Sequence, residues 1–359
     1  MKLTMFTRYC SLGASSRYRY YMYAERMRDG GDEVDIFNFF DQYYMRCLYR
    51  GEKVGFGNIL KYYRQRFKDI SRAQGKLLIE YELFPYLPWL IERFFLKKHE
   101  YVLNFDDNVW EKYKGKPLLA GKYDALVRNA SGVIVANDFL YKKVRLLNEN
   151  VIKIPTVVDP ELYKTPKEKF DKFTLAWIGT PVTYMYLEKH AEILRGMAEK
   201  YDFELLVVAR KSLEDRRIEG VEMRFENWSQ EREGELLARS HVGIMPLTDD
   251  DFSQGKSAFK LIQYAAAGLP VIASSVGENC NVVEDGKTGF LADSPEAWSE
   301  ALGKLINNAG VYSAMAENAR AASCNYSIQK YYPVFRDFIY KGFLVLVAPC
   351  LDETGDMKR

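Results

Sequence analysis

Short apolar runs alternate with amphipathic stretches from residue 2 to about 155, and the same alternation returns from 174 to 274. No other feature constrains the fold as much. The first unit sets the pattern, with an apolar run at 2–7, a loop containing Gly13, Ala14, Ser15 and Ser16, and a helical period to about Asp29. Further strands are expected at 33–40, 77–83, 101–105, 132–136 and 151–155, with helical stretches between most of them. Strands joined through helices pair in parallel, and the helices cover both faces of the sheet. A charged, proline-bearing stretch at 164–172 has no apolar period and reads as a linker. The second series places strands at 174–179, 205–209, 221–225, 242–246 and 270–274, with helices at 230–239 and 256–267 among the connections. From Pro295 onward two or three helices are expected, the last an aromatic one over 327–347. The 359 residues suit two domains of ordinary size. The expected fold is therefore α/β, with two Rossmann-like, doubly wound domains. The carboxyl ends of both sheets face a central cleft, where such sheets bind ligands.

Composition narrows the function. Fifty-one Lys and Arg against 49 Asp and Glu leave a net charge of +2, too balanced for a dedicated nucleic-acid binder, so no nucleic-acid partner is expected. Cys10, Cys47, Cys280, Cys324 and Cys350 are odd in number and far apart, and read as reduced core thiols of a cytoplasmic protein. The amino terminus lacks the apolar stretch of a signal peptide, and the longest apolar run, 343–348, is far too short to span a membrane. The three histidines, His99, His190 and His241, are scattered, which argues against a His-rich metal site. No metal and no cofactor are expected.

The segment 255–274 carries the clearest chemistry. Gly255 opens the helix expected over 256–267, Gly268 caps it, and Pro270 leads into a buried strand. Free N–H groups at the start of that helix suit an anion. Lys256 and Lys260 lie four apart, on one helical face, and Gln263 continues that face. A diphosphate at the helix start would meet both ammonium groups. The competing reading makes the lysines the solvated side of an amphipathic helix, and the glycine opening, alanine run and following strand count against it.

This segment, with Val276-Gly277 and residues 283–291, closely resembles the nucleotide-sugar-binding region of family 4 glycosyltransferases, which have the two-domain GT-B fold. Residues 177–183 with Tyr186 and Leu187, then 226–229 and 241–247, resemble other strands and loops of the donor domain in that family. Residues 15–19 and 104–110 look like its acceptor-side loops. The resemblance implies an acceptor-side domain over 1–160, completed by the last helix at 327–347, and a donor-binding domain over 161–326. It implies a retaining, metal-independent hexosyl transfer from a nucleotide diphosphate sugar to a glycan or lipid-linked acceptor, as in cell-surface polysaccharide synthesis. Many family members carry two glutamates here, and this chain has Gly255 and Gln263 instead; the frequent Arg and Lys after the first donor strand fall on Thr180 and on a stretch with Tyr184 and Tyr186. Cationic stabilisation of the departing diphosphate then falls to Lys256, Lys260 and Arg210. The expected donor contacts are Gly179, Thr180, Arg210, Asn227, Trp228, Gly255, Ser257 and Gln263.

Asp106 and Asp107 follow a strand, and are read either as positioning the acceptor and assisting its proton or as caps of an Asx turn, with Asp107 placed in the catalytic set beside the two lysines. Arg17 and Arg19 suit a phosphate or sugar of the acceptor, or a plain surface role; Ser16 is counted with the acceptor side, although Ser15 and Ser16 also suit a helix cap. Trp228 is equally readable as core. The run Asp249-Asp250-Asp251 invites a metal reading, outweighed by its place in a loop ahead of a metal-free type of site. His190 and His241 read as packing residues. The helix at 58–72 interleaves Lys61, Arg64, Arg66, Lys68 and Arg72 with Tyr62, Tyr63 and Phe67, and reads either as a solvated helix packed on the sheet or as peripheral contact with the inner face of a membrane. Two other functions fit the same fold. One is a nucleotide-sugar epimerase, for which no convincing acid/base set is found; the other is a non-catalytic nucleotide-sugar-binding subunit, motivated by the missing glutamates.

Overall fold

A computed structural model describes residues 1–163 and 168–342. The first sheet holds β1 (Lys2–Tyr9), β2 (Glu33–Phe40), β3 (Lys76–Glu80), β4 (Tyr101–Phe105), β5 (Gly132–Val135) and β6 (Val151–Lys153), in the order β2-β1-β3-β4-β5-β6. The second holds β7 (Thr174–Ile178), β8 (Glu204–Ala209), β9 (Met223–Asn227), β10 (Val242–Met245), β11 (Val271–Ser274) and β12 (Gly289–Ala292), in the order β12-β11-β10-β7-β8-β9. Every ladder is parallel. Period-two alternation sends successive strand residues to opposite faces. Leu77 and Ile79 join one core with Phe6, Leu103 and Val133, whereas Leu78 joins Leu3, Met5, Val102 and Ile134 on the other face. Helix Ile328–Lys341 packs on that second face, burying Ile328, Phe335, Phe338 and Ile339 against the first sheet. Truncating Phe338 to Ala there costs about 3–5 kcal/mol on the scale of buried aromatic deletions.

Several expected boundaries move. The strand expected over 77–83 stops at Glu80, because Tyr81 takes a left-handed backbone (φ 63°) and ends the ladder. The strand at 151–155 ends at Lys153, and the one at 221–225 is Met223–Asn227. β12 was not foreseen as a strand. Of the 164–172 stretch, 164–167 lie outside the described residues; Lys169 donates to the carbonyls of Ala238 and Ser240, which ties the remainder to the second half. The part of the last helix expected over 343–347, and Cys350, also lie outside the described residues. Cys10 and Cys47 are buried, but Cys280 and Cys324 are exposed rather than core thiols, since the short helix and 3-10 turn that carry them turn those positions to solvent.

Candidate active site between the two sheets

The carboxyl ends of the two sheets enclose a solvent-open cavity of about 1050 Å³. Its second-half wall is built around residues 255–263, whose local fold differs from expectation. Helix Asp251–Gln254 is capped by Asp250, whose carboxylate accepts from the Ser253 N–H at 2.8 Å. The next helix is Phe259–Ala266 and begins only after Ala258, which sits at φ 50°. Lys256 therefore precedes the helix and does not share a helical face with Lys260. The physical reason lies across the cleft: Asn137 of the first half donates its side-chain N–H to the carbonyls of Gly255 (2.7 Å) and Lys256 (3.2 Å), holding these residues as a loop. Gly255 itself lies against Asn108, where an added Cβ would come within 2.4 Å of the Asn108 Cβ. Its missing side chain lets the two halves approach.

Ser257, Ala258 and Phe259 line the cavity, so the positive end of the helix dipole is directed to this wall. Lys260 follows, with Nζ 4.7 Å from the ring centroid of Trp177. Gly179 permits that seat, because a Cβ there would strike the Trp177 ring at 2.4 Å. Lys256 Nζ lies 4.3 Å from the Phe252 ring. Among the described residues neither ammonium forms an ion pair, and both rest on aromatic faces. Burial, and then repulsion from Lys256, lowers the pKa of Lys260 to about 7. Asp107, across the cavity, is pushed up to about 6, first by burial, with Lys256 opposing and Asp106 adding to the rise. An incoming anion would stabilise the charged form of both lysines.

Eleven of the residues anticipated from sequence line this one cavity. Arg17, Asp106 and Asp107 come from the first half; Gly179, Thr180, Arg210, Trp228, Lys256, Ser257, Lys260 and Gln263 come from the second. Thr180 forms a capping box with Thr183 at the start of helix Pro181–Lys189. Gln263 is buried and donates to the Tyr163 hydroxyl at 3.2 Å. Asp106 accepts a short hydrogen bond from the hydroxyl of Tyr81. Four anticipated residues lie outside the lining. Gly255 makes the close approach just described. Ser16 is buried and donates to Glu80 at 2.6 Å, so it anchors the loop rather than facing the cavity. Arg19 is buried among Asn104, the Ile154 carbonyl and Thr156, its guanidinium consumed by structure. Asn227 is exposed at the end of β9.

Sequence reasoning named none of Tyr18, Tyr49, Glu233, Asn137 and Trp177 as site residues, although Tyr18 and Trp177 fall within the segments 15–19 and 177–183. Trp228 lies under two guanidinium groups, Arg17 at 5.0 Å and Arg210 at 4.7 Å, and Arg210 also covers Tyr49 at 4.3 Å. Glu233 holds this group together, accepting from the Trp228 indole N–H at 2.7 Å and from the Tyr18 hydroxyl, with Arg17 at 3.8 Å. The Nε and Nη1 of Arg17 are buried without a hydrogen-bond partner. The available signal was local: Tyr18 adjoins Arg17, and Glu233 follows Trp228 on the helix that begins at Gln230. Tyr49 left none, since it comes from helix Gln42–Arg50, whose position depends on tertiary packing.

The acidic run before the cavity is taken up locally: Asp250 caps its helix and accepts from Thr248, and Asp249 accepts from Gln254. Among the described residues no group of three His, Cys, Asp or Glu is placed to hold a metal ion. His190 bonds the Tyr186 carbonyl, and His241 accepts from the Thr174 N–H while stacking on Phe173, so both pack.

Two parallel α/β sheets facing a cavity across a cleft, with the last helix returning to the first, define the GT-B class of fold. Sucrose-phosphate synthase from Thermosynechococcus elongatus superposes with a TM-score of 0.69 at 16% identity, covering 94% of this chain and 98% of that one. HepE from Anabaena, solved with UDP and glucose, gives 0.68 at 15% identity over 94% and 99% of the two chains. WaaG, a glycosyltransferase involved in lipopolysaccharide biosynthesis, gives 0.68 at 16% identity over 95% and 100%. Within that fold the likeness is more particular: residues 175–308 match the Glycosyl transferases group 1 family. A stretch of 94 residues is 38% identical to D-inositol 3-phosphate glycosyltransferase of Corynebacterium urealyticum, and one of 68 residues is 34% identical to the protein of that name from Salinispora arenicola. These matches cover 26% and 18% of this chain, and only 21% and 15% of the relatives' own length.

Proposed function

We propose that this protein is a retaining glycosyltransferase that moves a sugar from a nucleotide diphosphate sugar to a glycan or lipid-linked acceptor in the synthesis of a surface polysaccharide. The observation that carries the reading is the pair of ammonium groups of Lys256 and Lys260, without an ion-pair partner among the described residues, at the opening of helix Phe259–Ala266 and inside the cavity between the sheets. Sugar transfer needs the negative charge growing on a departing diphosphate to be stabilised while the anomeric carbon becomes cationic. Two ammonium groups and a helix amino end supply that stabilisation with no reorganisation. Arg210 adds a third cation on the same wall. The departing phosphate takes the acceptor proton on the face it leaves, while Asp107, opposite the lysines, orients the acceptor hydroxyl. Arg17 and Asp106 hold the acceptor from the first half. The HepE complexes with UDP and UDP-glucose support the nucleotide-sugar class of donor.

Incubating the purified protein with radiolabelled nucleotide sugars tests the reading. Transfer or slow donor hydrolysis is expected. Ring-epimer formation would replace it with epimerisation, and binding without turnover would make the chain a nucleotide-sugar-binding subunit.

We further propose that the first half lies against the inner face of a membrane. Helix Phe56–Arg72 turns Tyr62, Asp69 and Ile70 inward, and Arg66 too is buried, donating to the Phe37 and Thr7 carbonyls. Its outer side exposes Phe56, Leu60 and Phe67 among Lys61, Arg64 and Lys68, and the neighbouring helix Trp89–Leu96 exposes Leu90 and Phe94. Each basic side chain near an anionic surface is worth about 1 kcal/mol. Among the described residues no helix is long and apolar enough to cross a membrane. Co-sedimentation with phosphatidylglycerol vesicles is expected, and its absence at low salt would remove the membrane contact.

A further inference from the structure

A second cationic cluster sits at the carboxyl end of β3, beyond the cavity. The loop after β3 contains Tyr81 and Tyr86, which with Ala258 are the non-glycine residues of left-handed backbone among the described residues. Such conformations persist where the surroundings over-determine them, and they concentrate at functional sites. Tyr86 is pinned from two sides: its N–H donates to the Tyr113 hydroxyl at 2.7 Å, and the Tyr63 hydroxyl donates to the carbonyl of Pro85. The pinned backbone leaves the Tyr86 ring 53% exposed. Lys112 Nζ lies 4.0 Å from its centroid and Lys116 Nζ 5.8 Å.

Charge is unbalanced here. Glu82 is buried and serves Arg8 (3.1 Å), Lys112 (3.2 Å) and Lys122 (2.7 Å), while Glu92 serves Lys122 at 2.6 Å. Four cations, Arg8, Lys112, Lys116 and Lys122, thus meet Glu82 and Glu92, and Glu80 also acts on Arg8. Among the described residues Lys116 forms no ion pair. Burial, and then Arg8, lowers the pKa of Lys112 to about 8, with Glu82 opposing. The cluster also connects in both directions. Arg8 lies 5.9 Å from the ring of Tyr81, which bonds Asp106 in the cavity wall, and three residues past Tyr86 begins the helix that exposes Leu90 and Phe94.

We propose that Lys112 and Lys116, over the exposed ring of Tyr86, form an anion subsite for a phosphate or diphosphate group of the acceptor. The subsite rests on the reading of the first half as acceptor-binding. It accounts for Lys116, which among the described residues has no carboxylate partner, beside a loop that leads from the cavity wall to the apolar surface that would carry a lipid chain.

The test uses the full chain saturated with whichever of UDP, GDP or ADP binds it, so that the seat at Lys256 and Lys260 is filled. Calorimetric titration with inorganic diphosphate should then show a second binding event in the millimolar range. Lys116→Ala, which removes an exposed side chain, should weaken it severalfold. The Lys112→Ala/Lys116→Ala pair should weaken it at least tenfold, with nucleotide affinity unchanged within twofold. Lys112→Arg should retain it. Citronellyl diphosphate binding more tightly than inorganic diphosphate, with the preference lost in Phe94→Ala, supports the subsite and identifies a lipid-linked source; equal binding supports it with a soluble phosphorylated source. No second event, or one indifferent to both lysine substitutions, overturns the proposal. If no nucleotide binds, the donor reading fails separately, and the subsite is read from inorganic diphosphate binding that responds to Lys116→Ala but not to Lys260→Ala.

Discussion

The two halves share an architecture of six parallel strands and differ in where their cavity walls place charge: the second half carries both lysines on one segment, and the first brings its charged residues from separate segments. The second half sets Lys256, Ser257, Ala258, Phe259, Lys260 and Gln263 on one continuous segment and adds Gly179, Thr180, Arg210, Trp228 and Glu233 from other strand ends and a helix. The first half gathers Arg17, Tyr49, Asp106 and Thr156 from loops and helices far apart in sequence. A segment that binds through a helix amino end must keep its residues in order, because the peptide dipoles and the lysines act from adjacent turns. A wall gathered from separate strand ends has no such constraint, so its residues can change singly. A donor wall made this way suits a ligand part common to many substrates, and an acceptor wall made the other way suits a part that varies.

The largest expected effect tests the continuous wall. Lys260→Ala should lower donor turnover at least tenfold, since a charge-assisted contact is worth about 1.5–3 kcal/mol. Steady-state assays of transfer or donor hydrolysis measure it. An unchanged rate would take Lys260 out of the site and dissolve the contrast between the halves.

A smaller but still large effect is expected at the seam. Glu233→Ala leaves the Tyr18 hydroxyl and the Trp228 indole N–H without their acceptor and Arg17 without its carboxylate. A loss of about 3 kcal/mol in urea unfolding is expected, as for other broken buried pairs. Glu233→Gln, which keeps an acceptor, should lose markedly less. Equal losses would mean that the charge, rather than the hydrogen bonds, joins the halves.

The dispersed wall has its own pH signature. Glu80, fully buried behind Ser16, has its pKa raised to about 7, first by burial, against an ordinary value of 4.5. Between these values the folded chain keeps a proton that the unfolded chain has released, so Glu80 contributes stability below about pH 4.5 that is lost as pH rises through about 7. Asp107, raised to about 6, adds to the same slope, and His241, lowered to about 4, opposes it. Unfolding midpoints from pH 4.5 to 7.5 should therefore fall less steeply in Glu80→Gln than in the parent. An identical slope in both would place the carboxyl of Glu80 in water.

The same contrast explains what was readable from the sequence. Both sheets were legible from the alternating strand and helix periods, and eleven of their twelve strands fall on anticipated segments apart from shifts at their ends. β12, Gly289–Ala292, is only four residues long and half buried, and it follows the turn-rich stretch 283–288, so it was read with that segment and not as a strand. The donor segment was legible as chemistry but misjudged as geometry: nothing local in Gly255-Lys256-Ser257-Ala258 announces that Asn137, more than a hundred residues away, takes two of its carbonyls. Arg17 and Arg19 looked equivalent in sequence, yet Arg19 is spent on Asn104 while Arg17 faces the cavity with two nitrogens unpaired. Motif-level inference found the neighbourhood, and long-range packing decided which side chain faces the ligand.

The smallest expected effect sharpens that distinction at neighbouring residues. Asn227 and Trp228 were anticipated together as donor contacts. The Trp228 N–H donates to the Ala209 carbonyl at 2.7 Å, so the backbone there is held whatever side chain occupies 227. Asn227 is exposed and outside the cavity, whereas the Trp228 ring lies under Arg17 and Arg210. Surface substitutions without buried partners change stability or binding by about 0.5 kcal/mol or less, and loss of a stacked arginine–aromatic contact by about 0.5–2 kcal/mol. Asn227→Ala should therefore leave nucleotide affinity within about twofold of the parent, while Trp228→Ala should weaken it severalfold. An Asn227 effect as large as that of Trp228 would mean that the ligand reaches past the cavity lining to the edge of the second sheet, and the donor wall would then be as dispersed as the acceptor wall.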